Sequence, residues 1–166
     1  MRSHLIKDLL NHLDVDGALK IGFANAQTTQ AIEKLSIPLD LKRLLQWSWL
    51  TCGSEIGPYY FDSVNEITIN PDYETLIQYR MIPVGHAING DIVVLRFDDK
   101  DCSIGLISHD EFWEERGDPN KSYAELAATI DEYLFRVTEK LYLPIDFYAA
   151  EEWEALKKKE LSERNV

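Results

Sequence analysis

Four histidines are the first candidates for chemistry, and none stands in a spacing typical of a metal site or a zincin motif. His4 and His12 are eight residues apart on a predicted helix, too far apart to share one metal ion. His86 lies on a predicted strand face among apolar residues, where a packed or sheet-rim histidine is more common than a metal ligand. His109 begins a predicted helix beside Asp110, where it could serve as a ligand or general base. A small metal- or His-dependent hydrolase using His86 or His109 with nearby carboxylates is therefore one alternative function.

Nucleophiles have no recognisable setting in this sequence. No Gly-x-Ser-x-Gly elbow occurs, and the glycines of residues 85–90 fall in a predicted hairpin rather than in a phosphate-binding loop. Cys52 and Cys102 each lie in an apolar stretch, which predicts two reduced core residues rather than a disulfide. We therefore predict no catalytic residue, no metal and no cofactor.

Carboxylates crowd two neighbouring segments, a predicted turn and the helix that follows the next strand. A calcium loop would need ligands at alternate positions around a central glycine, and this register is absent. Two interpretations stay open: a solvated acidic face, or an electrostatic docking surface for a basic protein with a tryptophan as its anchor. The candidate partner-binding residues are Asp98, Asp99, Asp101, Asp110, Glu111, Trp113 and Glu114.

The net charge agrees with a basic protein partner. The 166 residues carry a formal charge of −12, with 17 Lys and Arg against 29 Asp and Glu. Residues 1–50 have a net charge of +1, residues 51–100 of −5 and residues 101–166 of −8. Nucleic acid and anionic membrane surfaces are poor partners for such a chain, because both require clustered cations. A cationic protein would be steered toward its second half.

The helices and strands that position these residues can be predicted from the spacing of apolar residues. Apolar residues recur at helical spacing in residues 3–13, 28–35 and 38–49, which predicts three helices. The period then changes to two, which predicts strands. Asn89-Gly90 predicts a type I′ hairpin turn. The predicted strands are residues 55–61, 66–69, 82–88, 91–97 and 102–107.

Helices return toward the C-terminus. Ser108 can cap a short helix, and a Ser122–Glu125 capping box predicts that the longest helix begins there and ends before Pro144. The order of elements predicts an α+β fold, an antiparallel meander flanked by N- and C-terminal helices. We predict one domain over residues 1–148 and a solvated helical tail over residues 149–166.

Several of these segments together resemble the SUKH superfamily. Two segments are similar to that family's degenerate motifs. They are the helix start Ile37-Pro38-Leu39-Asp40-Leu41 and the hairpin from Ile82-Pro83-Val84-Gly85 to Gly90-Asp91-Ile92. Residues 104–110, which end in His109-Asp110, and residues 123–127 match its later parts. The resemblance covers roughly residues 35–140. It departs after the first motif helix, where Thr51-Cys52-Gly53 stands in place of the family's frequent Asn-Gly.

The resemblance implies a bent antiparallel sheet and a binding module without catalytic residues. Members of this family include fungal cell-wall and signalling regulators and bacterial proteins thought to neutralise toxins, often nucleases. We therefore expect an immunity protein that blocks a cationic toxin, with a regulatory scaffold for several partners as a further alternative. The low cysteine content and the charged N-terminal segment predict the cytoplasm and no membrane partner.

Overall fold

The computed structural model describes residues 8, 10–13, 19–67, 73–98, 102–114 and 118–164. The candidates Asp99 and Asp101 lie outside these residues, and so do the side chains of Trp113 and Glu114. His4 and much of the predicted first helix also lie outside them, although residues 10–13 are helical.

The strands of the described residues form two antiparallel sheets. The small sheet pairs β1 (Ile21–Gly22) with β2 (Trp49–Leu50). In the large sheet, six strands lie side by side in chain order, so the predicted meander is confirmed. These are β3 (Ser54–Ile56), β4 (Tyr59–Phe61), β5 (Met81–His86), β6 (Ile92–Phe97), β7 (Cys102–Ile107) and β8 (Tyr123–Ala127).

Helices precede, interrupt and follow the large sheet, which confirms the predicted α+β class. No helix among the described residues is long and apolar enough to cross a membrane. The helices are α1 (Ala26–Glu33), α2 (Leu39–Trp47), α3 (Val64–Ile67), α4 (Tyr73–Gln78), α5 (His109–Glu114), α6 (Ile130–Thr138) and α7 (Phe147–Arg164).

The sheet is covered on both faces, as β6 shows. Its residues Val93 and Leu95 belong to the large core, which also holds buried residues of α1, α2, α6 and α7. Its residues Ile92 and Val94 belong to a second, smaller cluster that includes Phe112 of α5. Successive side chains of a strand point to opposite faces, so a continuous apolar run is the pattern of a strand buried on both sides.

The prediction that the longest helix begins at Ser122 was wrong. Residues Tyr123–Ala127 form β8, which pairs antiparallel with β7, and helix α6 begins at Ile130. The apolar pattern fits either element over so short a stretch, because Ala124 and Leu126 are buried at a spacing of two. Thr129 is the actual N-cap, and its hydroxyl accepts a hydrogen bond from the Glu132 N–H.

Two local predictions in the sheet region were also wrong. Residues 66 and 67 belong to helix α3 rather than to a strand, and Glu66 accepts a hydrogen bond from the Ser63 N–H at 2.9 Å, as in a capping box. The turn after β5 is not type I′, because Gly90 has a positive φ (95°) and Asn89 does not. Ala87 C=O accepts from the Gly90 N–H, so the central residues are Ile88 and Asn89.

Close backbone packing joins the β3–β4 hairpin to the rest of the sheet. Gly85 of β5 pairs with Phe61 of β4, and a Cβ atom at Gly85 would overlap the backbone oxygen of Tyr60. The register of β5 also shifts between Pro83 and Gly85, so Val84 has no partner on β6. Bulges of this kind bend a strand.

Helix α7 closes the far edge of the sheet. It lies along β8, and its residues Phe147 and Ala150 are buried in the large core. The Glu154 carboxylate accepts a hydrogen bond from the Glu125 N–H of β8 at 3.2 Å. The helix thus starts inside the predicted domain, and its first turn is part of the core.

Candidate functional site

The acidic candidates start from opposite ends of strand β7. Asp98 follows Phe97, which pairs with Cys102 at one end. Asp110 and Glu111 lie in the first turn of α5, which follows Ile107 at the other end. Six residues of strand separate these ends by about 17 Å. The described residues therefore form two acidic segments rather than one continuous cluster. Asp98 is exposed in the first segment and Asp110 in the second.

Glu111 and Asp110 both have structural contacts at the start of α5. The Glu111 N–H donates to the Ser108 hydroxyl at 3.4 Å, which confirms Ser108 as the cap. Asp110 lies 3.0 Å from Nε2 of His109. Because the Asp110 side chain remains 60% exposed, a cation of a partner can still reach it.

His109 bridges two carboxylates. Its Nδ1 lies 3.2 Å from Oδ1 of Asp91, while its Nε2 faces Asp110. A histidine that acts as a general base needs one nitrogen within reach of a substrate. Here both nitrogens face carboxylates, so the geometry favours a structural role for His109 over a hydrolytic one.

Asp91 is the centre of this arrangement, although it was predicted only as the first residue of the strand at residues 91–97. Its side chain is 2% exposed and accepts hydrogen bonds on both oxygens. Oδ2 accepts from the Phe147 N–H at 2.7 Å and from the Asn89 amide at 2.8 Å. Oδ1 accepts from the His109 N–H at 3.2 Å. One carboxylate thereby joins the hairpin turn, the start of α5 and the start of α7.

The hydrogen bonds also determine the ionisation of Asp91. Burial alone would raise the pKa of this carboxyl, but the donors from Phe147, Asn89 and His109 outweigh burial and lower the pKa. The carboxylate is therefore ionised at neutral pH, and its charge lies at the N-termini of two helices, where it is favourable. The sequence signal was the Asp91 that follows Asn89-Gly90, but nothing local indicated its partner at Phe147.

His86 lies in a different environment, on the β5 side of the sheet. Its exposed ring packs on Tyr60, with 5.1 Å between the ring centroids. Burial raises the pKa of nearby Asp62, and the charge of His86 opposes that shift. Within the described residues, no group of three or more His, Cys, Asp or Glu side chains could hold a metal ion.

A cleft of about 630 Å³ opens beside Asp98. Arg96 stacks on the ring of Tyr123 at 4.9 Å from its centroid, and the Tyr123 hydroxyl lies 2.9 Å from that of Ser103. The cleft's lining includes two arginines and two carboxylates, so its charge does not select an anion or a cation. Its polar and charged lining residues are Arg80, Arg96, Asp98, Ser103, Asn120, Glu125 and Thr129.

The two cysteines differ in accessibility. Both are free, as predicted, but Cys52 is exposed and only Cys102 is a core residue. Burial raises the pKa of the Cys102 thiol to about 12. We expect iodoacetamide at pH 8 to modify Cys52 and leave Cys102 unmodified, as peptide mass spectrometry would show. Modification of Cys102 at a rate equal to that of Cys52 in the folded protein would contradict this prediction.

Comparisons with known proteins give no relative from which a site could be transferred. A scan against protein-family models, a search of curated proteins and a search of solved structures each found no match.

Proposed function

We propose that this chain is a non-catalytic protein-binding module, and specifically an immunity protein that neutralises a basic toxin by occlusion. The observation that carries the proposal is the segregation of charge, from +1 in residues 1–50 to −8 in residues 101–166. Segregated charge of one sign attracts a partner of the opposite sign and suppresses other partners. The resemblance of residues 35–140 to SUKH proteins supports the same proposal.

The exposed acidic residues supply the first step of binding. Asp98 and Asp110 are exposed at the two ends of β7, and Glu139, Glu151 and Glu152 are exposed around the start of α7. Such charges raise the rate of encounter with a basic protein at low salt. Occlusion then requires only that the bound module covers the toxin's active surface, with no reaction on either side.

Co-expression tests the proposal. We expect a basic, toxin-like protein to be encoded beside this gene, to arrest growth when it is expressed alone, and to be neutralised by this chain. The two proteins should elute as one complex on gel filtration. If the neighbouring gene encodes a toxic basic protein that this chain neither binds nor neutralises, the proposal is overturned. Binding to several unrelated proteins without any effect on toxicity would favour a scaffold instead.

Charge reversal tests the contribution of each acidic segment. We expect the set Asp98→Lys, Asp99→Lys, Asp101→Lys, Glu111→Lys and Glu114→Lys to slow association about 10-fold at low salt, with a smaller change in dissociation. Asp98 and Glu111 lie beyond opposite ends of β7. The association rates of the Asp98, Asp99 and Asp101 variants and of the Glu111 and Glu114 variants should therefore be measured separately by stopped-flow.

Asp40→Lys is a suitable control for this set, because Asp40 is exposed and lies in the N-terminal third. This substitution changes the net charge by the same amount as each substitution of the set. An unchanged association rate in the full set, or an equal per-site effect of Asp40→Lys, would remove the two acidic segments from the binding mechanism.

A further inference from the structure

Strand pairing builds one wall of the cleft of about 630 Å³. Arg96 of β6 pairs with Ser103 of β7, so the two side chains stand on the same face of the sheet. Tyr123 of β8 reaches across that face, and its hydroxyl lies 2.9 Å from the Ser103 hydroxyl. The volume of the cleft falls within the range of small-ligand pockets, about 300–1,000 Å³. The cleft is therefore large enough for a ligand of a few residues.

Arg96 is held in place without the use of its hydrogen-bond donors. Its guanidinium lies 4.9 Å from the centroid of the Tyr123 ring, as in a cation–π contact. The ring is itself fixed, because it lies across Gly105, where an added Cβ atom would overlap it. Within the described part of the chain, the Arg96 side chain makes no ion pair and no hydrogen bond. The planar fork of the guanidinium is therefore available to a ligand carboxylate.

Glu125 supplies the opposite charge from strand β8. Its backbone N–H donates to Glu154, but its half-buried carboxylate makes no ion pair with another described residue. The other two charged groups of the lining, Arg80 and Asp98, each have an interaction of their own. Arg96 and Glu125 are therefore the charged groups that a ligand in the cleft would meet.

Asp118 does not neutralise Arg96, although the two residues are close. The hydrogen bonds from Asn120 lower the pKa of Asp118, and the charges of Lys121 and Arg96 lower it further. No ion pair joins Asp118 to Arg96 among the described contacts. Both Asp118 and Lys121 are exposed, so solvent screens their opposite charges.

The separation of Arg96 from Glu125 matches the length of a short peptide. Glu125 pairs with Gly105, which lies two residues beyond Ser103, the partner of Arg96. Two strand spacings and two residues place the Cα atoms of Arg96 and Glu125 about 12 Å apart. Three extended residues span about 10 Å. Tyr79, which is 39% exposed, adds an aromatic ring to the lining.

We propose that this cleft binds a short peptide through its two charged termini, at a site independent of the docking function proposed above. The peptide carboxylate faces Arg96, because a guanidinium binds a carboxylate through two parallel hydrogen bonds. The peptide ammonium group faces the Glu125 carboxylate. Although the mixed lining selects neither a simple anion nor a simple cation, it selects a ligand that carries both charges.

Titration of the full chain with the tripeptide Gly-Phe-Gly, followed in amide NMR spectra, tests this proposal. We expect the shifts to centre on Ser103, Tyr123 and Glu125. Two matched probes lack one charge each: N-acetyl-Gly-Phe-Gly has no ammonium group, and Gly-Phe-Gly amide has no carboxylate. Each should bind about 10-fold more weakly than the free tripeptide, which is the effect of one lost charged hydrogen-bond partner.

Variants assign each terminus to its side chain. Arg96→Gln should weaken Gly-Phe-Gly by about 10-fold and leave the binding of Gly-Phe-Gly amide unchanged, since that probe lacks the carboxylate. Glu125→Gln, which keeps the size of the side chain, should leave N-acetyl-Gly-Phe-Gly unchanged in the same way. Arg43→Gln is the control, because Arg43 is an exposed arginine of α2 outside the cleft.

Three results would overturn the proposal. The first is equal binding of the free tripeptide and of the peptide blocked at both ends, since the termini would then not be recognised. The second is the absence of shifts at the cleft with millimolar peptide. The third is an equal loss of all three probes in Glu125→Gln with an unchanged circular dichroism spectrum, since Glu125 would then act on the shape of the cleft rather than on the ammonium group.

Discussion

Asp91→Ala is expected to lower the free energy of unfolding by about 4 kcal/mol, because it leaves one buried donor and two part-buried donors without their acceptor. The Phe147 N–H is the most costly of these, since its hydrogen bond to Asp91 is buried and 2.7 Å long. Asn89 and the His109 N–H lose the same acceptor. Urea denaturation followed by tryptophan fluorescence at pH 7 measures the change. Amide exchange of Phe147 should rise with it, because α7 loses its attachment.

At acidic pH the difference in free energy of unfolding between Asp91→Ala and the parent chain should become smaller. The pKa of Asp91 is lowered in the folded state, so its contribution is complete above its unfolded pKa of about 4 and is lost as pH falls through the lower folded value. Asp110→Asn is the control, since its side chain is 60% exposed, and it should cost less than about 0.5 kcal/mol. Equal effects of the two variants, or a difference independent of pH between 7 and 3, would contradict the role given to Asp91.

Gly85→Ala is expected to destabilise the fold by about 3 kcal/mol, since its Cβ atom would overlap the backbone oxygen of Tyr60. A backbone atom in a paired strand cannot rotate away as a side chain can, so β4 would have to separate from β5. The pairing of Phe61 with Gly85 would be lost with it. Thermal unfolding by circular dichroism and amide exchange in β4 measure both consequences.

Gly22→Ala provides the comparison for Gly85→Ala. Gly22 also lies in a strand, but the nearest atom to its added Cβ would be a methyl carbon of Thr51 at 3.1 Å. A side-chain methyl can shift by a few tenths of an ångström, so this variant should cost about 1 kcal/mol or less. If Gly85→Ala were no more destabilising than Gly22→Ala, close approach of β4 and β5 would not explain the glycine.

Sequence patterns predicted the central strand of the sheet correctly. The run from Ile92 to Phe97 is too apolar for a half-exposed strand, and the structure buries it on both faces. The segment Tyr123–Ala127 was predicted as the start of a capped helix, but its five residues form a strand. Pairing with β7 decided between helix and strand, and such pairing depends on residues distant in sequence.

The site was harder to predict for the same reason. Asp98 and Asp110 are twelve positions apart in sequence and were treated as one surface, but a strand separates them. Asp91 was predicted only as the first residue of a strand, because its contact with Phe147 spans 56 residues. Ile145 and Tyr148 are of residue types that usually lie in the core, and only the structure shows that their side chains are exposed.

The position of α7 along β8 has a consequence for self-assembly. An unpaired strand at the edge of a sheet is a template on which another chain can add a strand and begin an aggregate. Here α7 covers that edge, and the Glu154 carboxylate occupies the Glu125 N–H. The opposite edge, β3, has only three residues and offers a short template. We therefore expect α7 to hinder the addition of a strand at this edge, and conditions that lift α7 from β8 to expose it.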